Sequence, residues 1–199
     1  HSGAPPAPEL IGGDAVSGGT TLSFSMLLNL VAVANSEDPA VMWGFIRRYA
    51  PGVSPQTHPR LDALVGHALA YFRDFVRPAK TYRMPDDNER AALQELHDKL
   101  GEAIGSTDAG ALQDIVYEVG RTHFPDLSGK SKSPDGRPGV SRGWFETIYQ
   151  ILLGQSRGPR FGSFIALYGV EETRALIAKA LAGDLMAEHE AFLAERAKS

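Results

Sequence analysis

The residues best placed to do chemistry are the guanidinium groups of one short glycine-punctuated stretch, Gly154-Gln155-Ser156-Arg157-Gly158-Pro159-Arg160-Phe161-Gly162-Ser163. An arginine presents a planar fork of donors that matches a phosphate or a base edge. The free N–H groups of a helix beginning near Ser163 would add to the pull on an anion. Aromatic rings such as Phe161, or Trp144 upstream, can stack unpaired bases if they are exposed. A second reading of the same residues is structural. Gly154 then caps a helix, the following residues form a tight helix–helix turn, and Phe161 and Phe164 fill the core. The residue types fit both.

The usual catalytic constellations fail. Six histidines are scattered at positions 1, 58, 67, 97, 123 and 189 without a His-x-x-x-His pair, so no metal site is expected. Gly12-Gly13 and Gly18-Gly19 lack the Lys-Ser/Thr that completes a phosphate loop, and no Gly-x-Ser-x-Gly elbow occurs. The absence of cysteine rules out disulfides and thiolate metal ligands. No catalytic residue is expected in this chain.

Net charge is −4, which argues against a protein that binds nucleic acid with its whole surface. The charge is nevertheless segregated. Residues 47–83 carry seven basic and two acidic side chains, 84–120 two and nine, and 121–160 seven and three. Two basic blocks around an acidic stretch suit a localised polyanion site. Arg73, Arg77, Lys80 and Arg83 belong to the first block, Arg157 and Arg160 to the second.

The elements that must position these groups are helical. Residues 21–35 are apolar almost all round, as in a buried helix. Asp38 and Pro39 open another helix. Leu61, Leu64, Val65, Ala68, Leu69, Phe72, Phe75 and Val76 recur at helical spacing before Pro78. A helix over 86–104 would align Leu93, Leu96, Leu100 and Ile104, and one from Asp108 would carry Leu112, Ile115, Val116 and Val119. Ser141 opens a helix through Trp144, Ile148 and Leu152, ended by Gly154. Short helices follow near 161–168, 171–182 and 184–197. No strand alternation is evident. Residues 125–140 are rich in breakers and read as a long mobile loop. Residues 1–19, without an initiator Met or a signal-peptide pattern, read as an extended linker entered mid-protein. No run of about 18 apolar residues exists, so no membrane span is expected. The fold expected is all-α: a bundle of two packed helical subdomains, 20–104 and 105–199.

The run Leu152-Leu-Gly-Gln-Ser-Arg-Gly-Pro-Arg-Phe-Gly-Ser-Phe-Ile-Ala-Leu-Tyr-Gly169 resembles the C-terminal signature of class I lysyl-tRNA synthetases. The resemblance continues, in order, at Ser23-Phe-Ser-Met-Leu-Leu-Asn-Leu30, Trp43-Gly-Phe-Ile-Arg-Arg-Tyr49 and Tyr71-Phe-Arg-Asp-Phe-Val-Arg-Pro78. It covers most of residues 21–182. It implies an α-helix cage that holds the anticodon stem-loop of tRNA-Lys, following an N-terminal catalytic domain of the same protein, in a cytoplasmic ligase that uses ATP. This chain lacks that domain, so no cofactor is expected here and no ATP or lysine site transfers to any residue. Lys130-Ser-Lys-Ser133 resembles the ATP-holding loop of class I synthetases without its Met. No nucleotide-binding sheet precedes it, and a basic solvated loop is the better reading. The RNA-binding residues implied are Arg157, Arg160, Phe161, Trp144, Ser163 and Gln155, with Arg73, Arg77, Lys80 and Arg83. The alternative is a helical protein–protein scaffold without an RNA role.

Overall fold

The computed structural model describes residues 15–16, 20–130, 132 and 134–198. Most of the expected 1–19 linker therefore lies outside the described residues. Within it, Ala15–Val16 (β1) pairs antiparallel with Thr20–Thr21 (β2). Apart from this ladder and two isolated bridges, the regular structure described is helical. The chain divides into two compact units, residues 1–80 and 81–199.

In the first unit, α1 (Phe24–Ala34) starts where Ser23 Oγ accepts the Met26 N–H at 3.0 Å. It ends at Asn35, whose φ of 54° reverses the chain. α2 (Pro39–Tyr49) opens as expected, with Asp38 accepting the Ala40 N–H at 2.9 Å. It buries Met42, Trp43 and Ile46, and the Trp43 indole donates to Asp62 at 2.9 Å. α3 (Pro59–Tyr71) buries Leu61, Leu64, Val65, Ala68 and Leu69 against α1. It runs on through a π-helical turn, Phe72–Val76, and a short 3₁₀ turn, Arg77–Ala79. The wider turn changes the phase of the face, so Phe75 is 38% exposed rather than continuing the buried stripe.

The second unit begins with α4 (Asp87–Leu100). Asp86 accepts the Glu89 N–H at 2.8 Å and Glu89 accepts the Asp86 N–H at 2.9 Å, a reciprocal capping box. α5 (Ala109–His123) is capped by Asp108 and α6 (Arg142–Ile148) by Ser141. α6 continues into a second π-helical turn, Tyr149–Leu153, which stops at Gly154 with φ 66°. α7 (Phe161–Tyr168), α8 (Val170–Ala182) and α9 (Asp184–Ala197) complete the unit. Leu93, Leu96, Leu100, Leu112, Val116, Trp144, Ile148, Phe161, Phe164 and Ile165 are all buried there.

Three expectations need correcting. The division falls after Lys80, not at 104/105, because α4 packs on α5 and α8 and belongs to the second core. α4 ends at Leu100, which leaves Ile104 beyond it and 55% exposed. The 125–140 segment is pinned at its base, not a free loop. Pro125 pairs with Val140 and Lys132 with Pro138, while the Asp126 N–H donates to the Gly139 carbonyl at 2.8 Å.

Candidate nucleic-acid interface

The turn 154–163 is built by close approach and three tethers. A side chain on Gly154 would strike the Tyr82 ring at 2.8 Å, and one on Gly158 would strike the Tyr149 ring. The turn therefore lies directly on both aromatics. The Gly154 carbonyl accepts the Thr81 N–H at 2.9 Å. The Tyr149 hydroxyl donates to the Pro159 carbonyl at 2.8 Å. Gln113, on α5 and only 3% exposed, accepts the Gly162 N–H at 2.6 Å through Oε1. This last bond satisfies an otherwise orphaned donor at the start of α7, which has no side-chain cap of its own. Gln113 and Tyr149 were not singled out in the sequence. Each acts through a partner dozens of residues away or around a turn, which periodicity does not register.

On this fixed turn both arginines face outward. Arg157 is exposed and makes no hydrogen bond or ion pair among the described residues. Arg160 is exposed and spends one donor on Ser163 Oγ at 3.3 Å. Ser163 and Gln155 are half-buried.

The other candidates fare differently. Trp144 and Phe161 are both 0% exposed, so neither ring is available to stack a base. The Trp144 indole donates to the Val116 carbonyl at 2.9 Å and stacks on Phe124, and Phe161 stacks on Phe164. Arg83 is committed internally. Its Nη1 and Nη2 each reach Glu89 at 2.7 Å, and its Nε donates to Gln150 at 2.7 Å. The guanidinium beside Glu89 holds that carboxyl down at about 2, opposed by burial and helped by the Asp86 N–H and Thr147.

Arg73, Arg77 and Lys80 belong to the first unit. Arg73 pairs with Asp74 at 2.9 Å and approaches Glu37 at 3.9 Å. Arg77 is half-buried. Lys80 is only 7% exposed, with its ammonium 5.8 Å from the Phe72 ring centroid, and burial pushes it down to about 8. A phosphate-binding lysine needs an exposed ammonium, and this one is covered.

Surface groups outside the sequence-based set adjoin the turn. Arg142, at the start of α6, is exposed and makes no hydrogen bond or ion pair among the described residues. Tyr117 on α5 is 38% exposed and meets the half-buried Phe145 of α6 edge-to-face, with centroids 5.9 Å apart. Among the described residues no three His, Asp or Glu side chains group to hold a metal, and no helix is long and apolar enough to cross a membrane.

Comparison with known proteins gives this surface a context. The chain is 48% identical, over 183 residues and 92% of its length, to the lysine–tRNA ligase of Roseobacter denitrificans. It is 39% identical over 157 residues to the lysine–tRNA ligase of Rickettsia conorii, and 38% identical over the same length to that of Rickettsia rickettsii. It spans 32% of the Roseobacter protein and 27% of the Rickettsia proteins. No family model and no solved structure matches it.

Proposed function

We propose, starting from this homology to part of the lysine–tRNA ligases, that the chain is the tRNA-binding, anticodon-reading part of a class I lysyl-tRNA synthetase. The parent enzyme would join lysine to tRNA-Lys using ATP in the cytoplasm, with the chemistry in an N-terminal catalytic domain. This chain would do no chemistry. It would grip the anticodon stem-loop so that the acceptor end reaches the distant active site.

The observation that carries the reading is the pair Arg157 and Arg160, outward-facing on a turn tethered by Gln113, Tyr149 and Thr81. Core packing does not need these charges. A fixed turn lowers the entropy lost when a ligand is gripped. Phosphate contacts from such forks set register and orientation on the RNA.

Filter binding of tRNA-Lys against an unrelated tRNA tests this. Charge-assisted hydrogen bonds contribute about 1.5–3 kcal/mol each. Arg157→Ala with Arg160→Ala should therefore weaken tRNA-Lys binding by roughly tenfold or more and flatten its salt dependence, with the melting temperature unchanged. A double variant that binds normally but melts early would make the arginines staples of the turn. A wild-type chain that binds neither tRNA would leave a helical protein-interaction scaffold as the better reading.

A further inference from the structure

We infer that Tyr117 and Phe145 form the platform on which an unpaired RNA base stacks beside the arginine turn; this rests on the RNA-binding reading above. The buried face of α5 is made by Leu112, Val116 and Val119, which turns Tyr117 outward. On α6, Trp144 and Ile148 are buried, which leaves Phe145 at the rim. The two rings meet at 80°, so each keeps a face or edge for a third ring.

Their position ties them to the turn. One helical turn back from Tyr117 along α5 is Gln113, which holds Gly162. One helical turn on from Phe145 is Tyr149, which holds Pro159. Each platform ring is thus about 6 Å along its helix from a clamp of the turn. The Tyr149 phenol, pushed up first by burial and then by Tyr117 nearby, reports the same proximity.

The charges around the platform favour a base over a phosphate. Asp114 is exposed three residues before Tyr117, and Glu146 is exposed next to Phe145. Both repel phosphate from the rings. Glu118 is already paired with Arg121 and Arg137. Arg157, Arg160 and Arg142 supply the cations to one side. A strand running along the arginines with one base turned inward satisfies both halves. Stacking on a ring face is tolerant of base identity, so the platform supplies affinity for an unpaired nucleotide, and a paired helix gains nothing from it.

The test uses the whole chain and a stem–loop RNA with the anticodon arm of tRNA-Lys, carrying 2-aminopurine at each loop position in turn. Wild type should quench the fluorophore at one position on binding. Tyr117→Ala with Phe145→Ala should abolish that quench and weaken binding about tenfold. Tyr117→Phe should restore both, and Tyr117→Leu, which keeps bulk without a ring, should not. A fully paired duplex of the same stem should bind all variants alike. If the Ala and Leu variants keep both quench and affinity while Arg157→Ala with Arg160→Ala loses binding, the platform is wrong and the RNA reading stands. If the pair instead captures an apolar peptide while wild type ignores both RNAs, the reading beneath it has failed as well.

Discussion

Arg83 and Arg157 show how little residue type alone says about a binding site. Arg83 places its fork on Glu89 and Gln150; Arg157 donates to nothing among the described residues. Arg83→Ala should therefore lower the melting temperature, because Glu89 is nearly buried and loses its partner. The cost should be about 1–3 kcal/mol, toward the lower end, since the guanidinium is itself 39% exposed and solvent already screens it. The same substitution at Arg157 should leave the melt alone. Glu89 also sets an acid limit. Its charged form is favoured in the fold, so its contribution is complete above the ordinary value near 4.5 and is lost as pH falls toward about 2. Melts of wild type and Glu89→Gln, compared from pH 6 to about 2, should converge at the acid end; a constant gap would show that the carboxylate does not titrate there. At this scale the sequence was half legible. The exposed arginines could be read from their glycine-rich setting. The fate of Trp144 could not, because its spacing with Ile148 and Leu152 serves a core stripe and its indole partner lies at Val116 on another helix.

Helix starts were legible wherever one side chain makes them: Ser141, Asp38 and Asp108 each accept the N–H that their type and position promise. Features with distant causes were not. Ile104 fits the heptad-like run of α4 by spacing, yet the helix ends at Leu100. The base of the 125–140 segment is closed by backbone pairing between residues with no apolar pattern. The α5–α7 crossing is another case. A Cβ on Gly162 would sit 2.5 Å from the Ala109 carbonyl oxygen and 2.6 Å from the Gln113 nitrogen, both backbone. Gly162→Ala must therefore push the helices apart, at an expected cost of about 1–3 kcal/mol, and should break the Gln113 clamp with a parallel loss of tRNA affinity. Gly66→Ala is the control: nothing lies within 4 Å of its would-be Cβ, so it should be neutral or stabilise α3 by up to about 1 kcal/mol. Equal melts for the two variants would refute the tight crossing.

At the scale of the molecule, each unit has its own buried core, with Leu27, Leu30, Ile46 and Leu61 in one and Leu93, Val116, Trp144 and Phe164 in the other. Residues 81–199 expressed alone should keep a cooperative thermal transition followed by circular dichroism; a gradual, non-cooperative loss of signal would contradict an independent core. The proposed catalytic silence also belongs here. Lysine-dependent ATP–pyrophosphate exchange by the chain should stay at background, and a rate above it would return Lys130 and Lys132 to consideration as nucleotide ligands. The charge pattern was legible as a bias, since a net charge of −4 hides two basic blocks. The sequence could not say that Lys80 is covered or that Arg73 is paired, because those facts depend on neighbours the fold supplies.

The π-helical turn at Tyr149–Leu153 has a consequence for length variation. A π turn holds one residue more than an α turn. Deleting one residue from 149–153 would let the helix close as ordinary α. Everything downstream, beginning with Gly154, would then be rotated by about 100° around the helix axis and drawn back by about 1.5 Å. Arg157 and Arg160 would keep their identity and lose their direction. Single-residue insertions or deletions should thus be tolerated at the tip of 125–140 and be ruinous within 149–153, so that the register of a five-residue turn is as much a part of the surface as the side chains it aims.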